Sequence, residues 1–153
     1  MPEPNATAQL PPVVKRITVP MVPRAAFERF TAGIATWWPM DTHSVAGEQT
    51  AAVIIEPKVG GRFYERARDG SESDWGEITV WEPPGRLVTT WHPGRGPESA
   101  QEVEITFAPQ ETGTLVELTH RHWEAMGEDA ADVRGRYDGG WQHVLALFEQ
   151  AAT

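Results

Sequence analysis

The chain has 153 residues, with 13 Lys and Arg against 22 Asp and Glu for a formal charge of −9, and it carries seven tryptophans and no cysteine. The negative charge opposes a nucleic-acid partner or an anionic membrane, and the lack of cysteine excludes disulfides, thiolate nucleophiles and Cys-based metal centres. The length fits one domain with its own core, and no apolar run approaches the roughly 20 residues that a membrane-spanning helix needs.

Residues 1–12 include Pro2, Pro4, Pro11 and Pro12 with few large apolar side chains, and are expected to form a mobile tail ahead of a single domain over 13–153. The same segment lacks the basic and apolar regions of a signal peptide, so a cytoplasmic location is expected. Val13 to Val19 is rich in β-branched residues and stops at Pro20, which predicts a first strand. Pro23 suits a first helical position, and Ala26, Phe27 and Phe30 give the short helix behind it an apolar stripe that Gly33 can end. A second helical turn is expected from Ile34 to Trp38, halted by Pro39.

From residue 51 the pattern changes to short β-type runs: Ala52 to Glu56, Gly61 to Arg66, Asp74 to Glu82, Arg86 to His92, Glu102 to Ala108 and Thr114 to His122. Turn compositions such as Arg68-Asp69-Gly70 and Pro83-Pro84-Gly85 separate them, which predicts a meander. Alternation in the run from Glu102 puts Val103, Ile105 and Phe107 on a buried face and the glutamates in water. The same rule lets only one of Trp91 and His92 point inward. Trp141, Val144, Leu145, Phe148 and Ala152 share one helical face, so a final helix is expected to start at Gly139-Gly140. The fold class is therefore α+β: a curved antiparallel sheet of about seven strands wrapped around a long C-terminal helix, with two short helices after the first strand. Between sheet and helix there is room for a pocket.

The chain resembles the START-like helix-grip (SRPBCC, polyketide-cyclase) superfamily, and within it the bacterial subgroup similar to the C-terminal domain of the heat-shock-protein ATPase activator. The resemblance rests on Trp37-Trp38-Pro39 with His43-Ser44, on Gly60-Gly61-Arg62-Phe63-Tyr64-Glu65-Arg66, and on Trp75-Gly76-Glu77. It continues through Trp81-Glu82-Pro83-Pro84-Gly85-Arg86-Leu87-Val88, Thr90-Trp91, Glu117-Leu118-Thr119-His120-Arg121-His122 and Gly139-Gly140-Trp141. It implies a deep, mostly apolar cavity for lipids, polyketides or other hydrophobic molecules. It leaves open whether a member is a cyclase or dehydratase, a ligand carrier, a self-resistance protein or a co-chaperone, since fold does not fix function.

The expected ligand-binding set is Trp38, His43, Phe63, Trp75, Trp91, His120, Trp141 and Leu145. Indoles each cover roughly 150–250 Å², and a small single-core domain rarely needs seven for stability alone, so a ring-lined cavity or interface is the first reading of the tryptophans and core packing the plainer alternative. His120 and His122, two apart on a strand, are expected to share the inward face of Val116 and Leu118. With Glu65 they are the candidate acid/base groups of an enzyme, although Glu65 fits a surface pair with an arginine better. A metal would need a third ligand such as His43, His92 or Glu65, and no ligand spacing supports one, so neither metal nor built-in cofactor is expected. Nor is there a Gly-x-Ser-x-Gly elbow for nucleophilic hydrolysis. The resistance members imply a further role for Gly94 or Gly96: donation of a Cα hydrogen to a radical-generating natural product. The expected function is thus binding of a hydrophobic or aromatic small molecule by a monomer or weak homodimer. A cyclase- or dehydratase-like enzyme is one alternative, and a protein-interaction module, either chaperone-linked or dimeric through an apolar outer sheet face around Trp81, is another.

Overall fold

The structure, a computed structural model, describes residues 10–152. Strand β1 (Val13–Val19) is followed by helix α1 (Pro23–Phe30), with Pro23 in its first turn, and by 3₁₀ turns at Ile34–Thr36 and Gly47–Gln49. Six strands then meander: β2 (Thr50–Ile55), β3 (Arg62–Ala67), β4 (Glu72–Glu82), β5 (Arg86–Trp91), β6 (Gln101–Gln110) and β7 (Gly113–Arg121). A 3₁₀ segment at Trp123–Asp129 leads into helix α2 (Ala130–Ala151). All seven strands form one antiparallel sheet in the order β1-β7-β6-β5-β4-β3-β2. The sheet curls into a half-barrel around α2, an α+β helix-grip fold.

Alternation builds the core side of the sheet. Val103, Ile105 and Phe107 of β6 and Val116, Leu118 and His120 of β7 are all buried. Across the sheet's other face, Glu102 and Glu104 accept bonds from Arg121, and Glu104 also from Arg86. Trp91 rather than His92 points at α2, its ring 5.1 Å from that of Trp141. Phe27 and Phe30 of α1 pack on Phe107, and Arg29 caps the far end of α2 by donating to the Ala151 carbonyl. Leu10 packs against the core, and Arg134 of α2 donates to the carbonyls of Pro11 and Pro12. The rest of the expected tail, residues 1–9, lies outside the described residues.

Two expectations are corrected. The last helix does not begin at Gly139-Gly140; it runs through them for 22 residues, about 33 Å at 1.5 Å per residue. A mid-helix glycine costs only about 1 kcal/mol relative to alanine, less than the packing of the Trp141, Val144, Leu145 and Phe148 face supplies. Trp81 does not create an apolar outer face. A register shift between Ile78 and Val80 turns it toward α1, where its ring meets Phe27 edge-on at 5.0 Å. Among the described residues, no helix is long and apolar enough to cross a membrane.

Candidate ligand-binding site

Between α2, the ends of β4 and β5 and the loop over residues 38–46 lies a cavity of about 450 Å³. Its walls are four indoles. Trp38 comes from the loop, Trp75 from β4, Trp91 from β5 and Trp141 from α2, with neighbouring ring centroids 5.1–6.4 Å apart at tilted or edge-on angles. Aromatic rings prefer such offset arrangements, which lock one another without filling the space between them. Thr42, His43, Ser44 and Val45 supply the loop side, Pro93 and Gly94 the rim, and Tyr137, Gly140 and Val144 the helix side.

Every indole N–H in this wall is already committed inside the protein. Trp38 Nε1 donates to the His43 carbonyl at 2.8 Å, Trp75 Nε1 to Glu65 at 2.7 Å, Trp91 Nε1 to the Tyr137 hydroxyl at 3.0 Å and Trp141 Nε1 to His120 Nδ1 at 2.9 Å. The tryptophans therefore present ring faces and edges to the cavity. The polar side chains left to face the cavity are those of Tyr137, His43 and Thr42, because the Ser44 hydroxyl is held by the Met40 carbonyl and by Thr50. Burial raises the Tyr137 phenol above its ordinary pKa, so the hydroxyl keeps its proton at neutral pH. His43 pairs through Nδ1 with Thr42 and stacks on His143 at 5.2 Å; burial, then the neighbouring His143, lower its pKa.

The candidate residues fall into three groups. Trp38, His43, Trp75, Trp91, Trp141 and Gly94 line the cavity. Phe63, His120 and Leu145 are buried behind that lining: Phe63 backs Trp75 and Trp91 at 5.3 and 5.5 Å, and His120 backs Trp141. Gly96 is not part of the lining, and His122 faces away. β7 ends at Arg121, and His122 takes a left-handed backbone conformation (φ 69°) that breaks the alternation. Its ring instead lies against Glu102 and Glu124, half-exposed.

His120 and Glu65 serve the structure around the cavity. His120 Nδ1 accepts from Trp141, which fixes the proton on Nε2, and Nε2–H donates to Gln101 Oε1 at 3.1 Å. Burial pushes its pKa down to about 3, so the ring is neutral. Glu65 is 1% exposed and is no surface partner of an arginine. Its oxygens accept from the amides of Val45 (2.7 Å) and Ala46 (2.8 Å), from Trp75 Nε1 and from the Thr50 hydroxyl. Four donors converge on one carboxylate, tying the cavity loop and one indole to β3.

Two residues escaped the sequence reading. Tyr137 lies four residues before Trp141 on the same helical stripe, but ahead of the glycine pair that reads as the helix start. Trp123, outside the quoted motifs, is fully buried and stacks on His120 at 4.0 Å. Among the described residues, its indole N–H is the one buried side-chain donor or acceptor without a partner.

The sequence profile of the activator of Hsp90 ATPase homolog 1-like proteins matches residues 22–153. Among solved structures, the chain is similar to the anthrahydroquino-γ-pyrone synthase Txn09, with 35% identity, coverage of 94% of this chain and 97% of that one, and a TM-score of 0.65. It is similar to CalC, a self-sacrificing resistance protein from Micromonospora echinospora, at 29% identity over 93% of this chain and 94% of that one, with a TM-score of 0.70. The Aha1 dimer of Colwellia psychrerythraea shares the fold at 19% identity, with 94% and 96% coverage and a TM-score of 0.65. Among curated proteins no match is found. With the profile spanning everything after β1 and the helix-grip architecture in place, the chain belongs to the family of activator of Hsp90 ATPase homolog 1-like proteins.

Proposed function

We propose that the protein binds a planar aromatic, polyketide-like small molecule in the cavity between sheet and α2. The observation that carries this reading is the four-indole wall around about 450 Å³, a volume in the usual range of small-molecule sites. Because all four N–H groups are satisfied internally, the wall offers stacking surface at little desolvation cost to an apolar ring. The similarity to a synthase of an anthrahydroquino-γ-pyrone supports the same ligand class. Titration with aromatic polyketides should quench and shift the tryptophan fluorescence with saturation, and a response that is flat across the panel refutes the reading.

The likeness to Txn09 also favours an enzymatic reading, in which a bound polyketide is cyclised or dehydrated. Proton transfer needs a titratable group within hydrogen-bond reach of the substrate. His43 and Tyr137 line the cavity, whereas His120 and Glu65 are committed behind it, so the acid/base pair of this reading is His43 and Tyr137. Turnover that disappears in His43→Ala while ligand binding persists supports it; turnover unchanged in both His43→Ala and Tyr137→Phe excludes it. A self-resistance role draws on the likeness to CalC and on Gly94 at the cavity rim. Its test is mass spectrometry after exposure to an activated enediyne, with cleavage at Gly94 expected and an intact chain refuting it.

A further inference from the structure

Gly140 stands near the middle of α2, where glycine weakens a helix, and it lines the cavity. A Cβ built on it would meet no atom within 4 Å. Packing therefore does not demand a glycine there, in contrast to Gly76, where a Cβ would fall 1.8 Å from the Thr90 carbonyl oxygen. The missing side chain leaves bare helix backbone as part of the cavity surface.

One turn earlier is Tyr137, whose ring stacks on Trp141 at 6.2 Å and whose hydroxyl oxygen already accepts from Trp91. Among the described residues the hydroxyl proton has no acceptor. A phenol that has filled its acceptor role and still lines a cavity is a donor waiting for an oxygen. Among the described residues, His43 Nε2 is the one polar side-chain atom of the lining that no hydrogen bond engages, and it belongs to the loop rather than to α2.

We propose that the Tyr137–Gly140 turn of α2 is the recognition edge of the site, and that it selects a planar aromatic ketone or quinone. The ring edge lies over the bare backbone at Gly140, and a carbonyl oxygen accepts the Tyr137 proton. This rests on the reading that the cavity holds an aromatic molecule, and it adds the functional group that the molecule must carry.

The test is calorimetric titration of wild type, Tyr137→Phe and Gly140→Leu with two probes of like shape, 1,4-naphthoquinone and naphthalene. The chain has no cysteine for the quinone to alkylate. In Tyr137→Phe, quinone affinity is expected to fall about five- to tenfold, the worth of one hydrogen bond, with naphthalene affinity changed less than about twofold. In Gly140→Leu both probes are expected to weaken by about tenfold or more, because the new side chain occupies the slot. Equal losses for both probes in Tyr137→Phe would mean that the residue only shapes the wall and would overturn the proposal, as would unchanged binding in Gly140→Leu. Wild type that binds neither probe overturns the cavity reading itself, a different failure.

Discussion

Replacing Glu65 by Gln removes a charge and turns one acceptor oxygen into a donor while keeping the side-chain volume. In the native structure Oε1 accepts from the Val45 amide and Trp75 Nε1, and Oε2 from the Ala46 amide and the Thr50 hydroxyl. The least damaging glutamine conformer keeps its oxygen at the Oε1 position. Its NH₂ then faces the Ala46 amide, which cannot turn away, whereas the Thr50 hydroxyl can rotate to accept. One charge-assisted bond is lost, one part-buried amide is orphaned, and the two bonds that remain lose their ionic character. Hydrogen bonds to charged groups are worth about 1.5–3 kcal/mol and an orphaned donor costs about 1–3 kcal/mol, so the net loss is expected near 2–4 kcal/mol. For a domain of this size that lowers Tm by about 5–15 °C, since each kcal/mol shifts it by about 2–4 °C. Thermal unfolding followed by circular dichroism gives the magnitude. Limited proteolysis should show faster cutting within residues 40–49, the loop that the carboxylate pins. A Tm within about 2 °C of wild type, with unchanged proteolysis, would refute the assignment of Glu65 as a clamp and reopen its use as an acid or base.

The buried histidine sets a pH dependence. Neutral in the fold down to about pH 3 but free to take a proton near pH 6.5 once unfolded, His120 contributes stability that is full above pH 6.5 and is lost as pH falls toward 3. Urea unfolding should show stability dropping by up to about 1.4 kcal/mol per pH unit between pH 6 and 5, above most carboxylate titrations, and a flat profile there would contradict the burial. Trp141→Phe leaves His120 Nδ1 without its donor and is expected to cost about 1–3 kcal/mol more than Trp123→Phe, which deletes an N–H that has no partner; equal costs in chemical denaturation would refute this. His122→Ala, at a half-exposed side chain, should change stability by less than about 0.5 kcal/mol. Gly140→Ala is expected to raise stability by about 0.5–1 kcal/mol, and a lower Tm would show that the space beside it is not open.

Periodicity was sufficient wherever one side of an element meets the core along its whole length. The alternation of β6, the turn residues between strands and the stripe from Trp141 to Phe148 are legible because a side chain's facing follows from its place in the repeat. The rule fails where the backbone departs from the repeat: the register shift that turns Trp81 to α1, and the left-handed residue that turns His122 away. It fails again where propensity and packing disagree. The glycine pair reads as a helix boundary, yet α2 passes through it because tertiary contacts on both sides hold the turns together.

The sequence by itself determined the α+β order, the meander and the presence of a final helix. Which of the aromatic rings face open space, and which polar atoms remain unspent among them, only the tertiary structure decided. Two of the four donors to Glu65 are backbone amides 19 and 20 residues away, and the partners of the Trp91 and Trp141 indoles lie 46 and 21 residues away. Hydrogen bonds between such distant positions follow from how the sheet curls around the helix, and no local pattern of residues encodes that curvature.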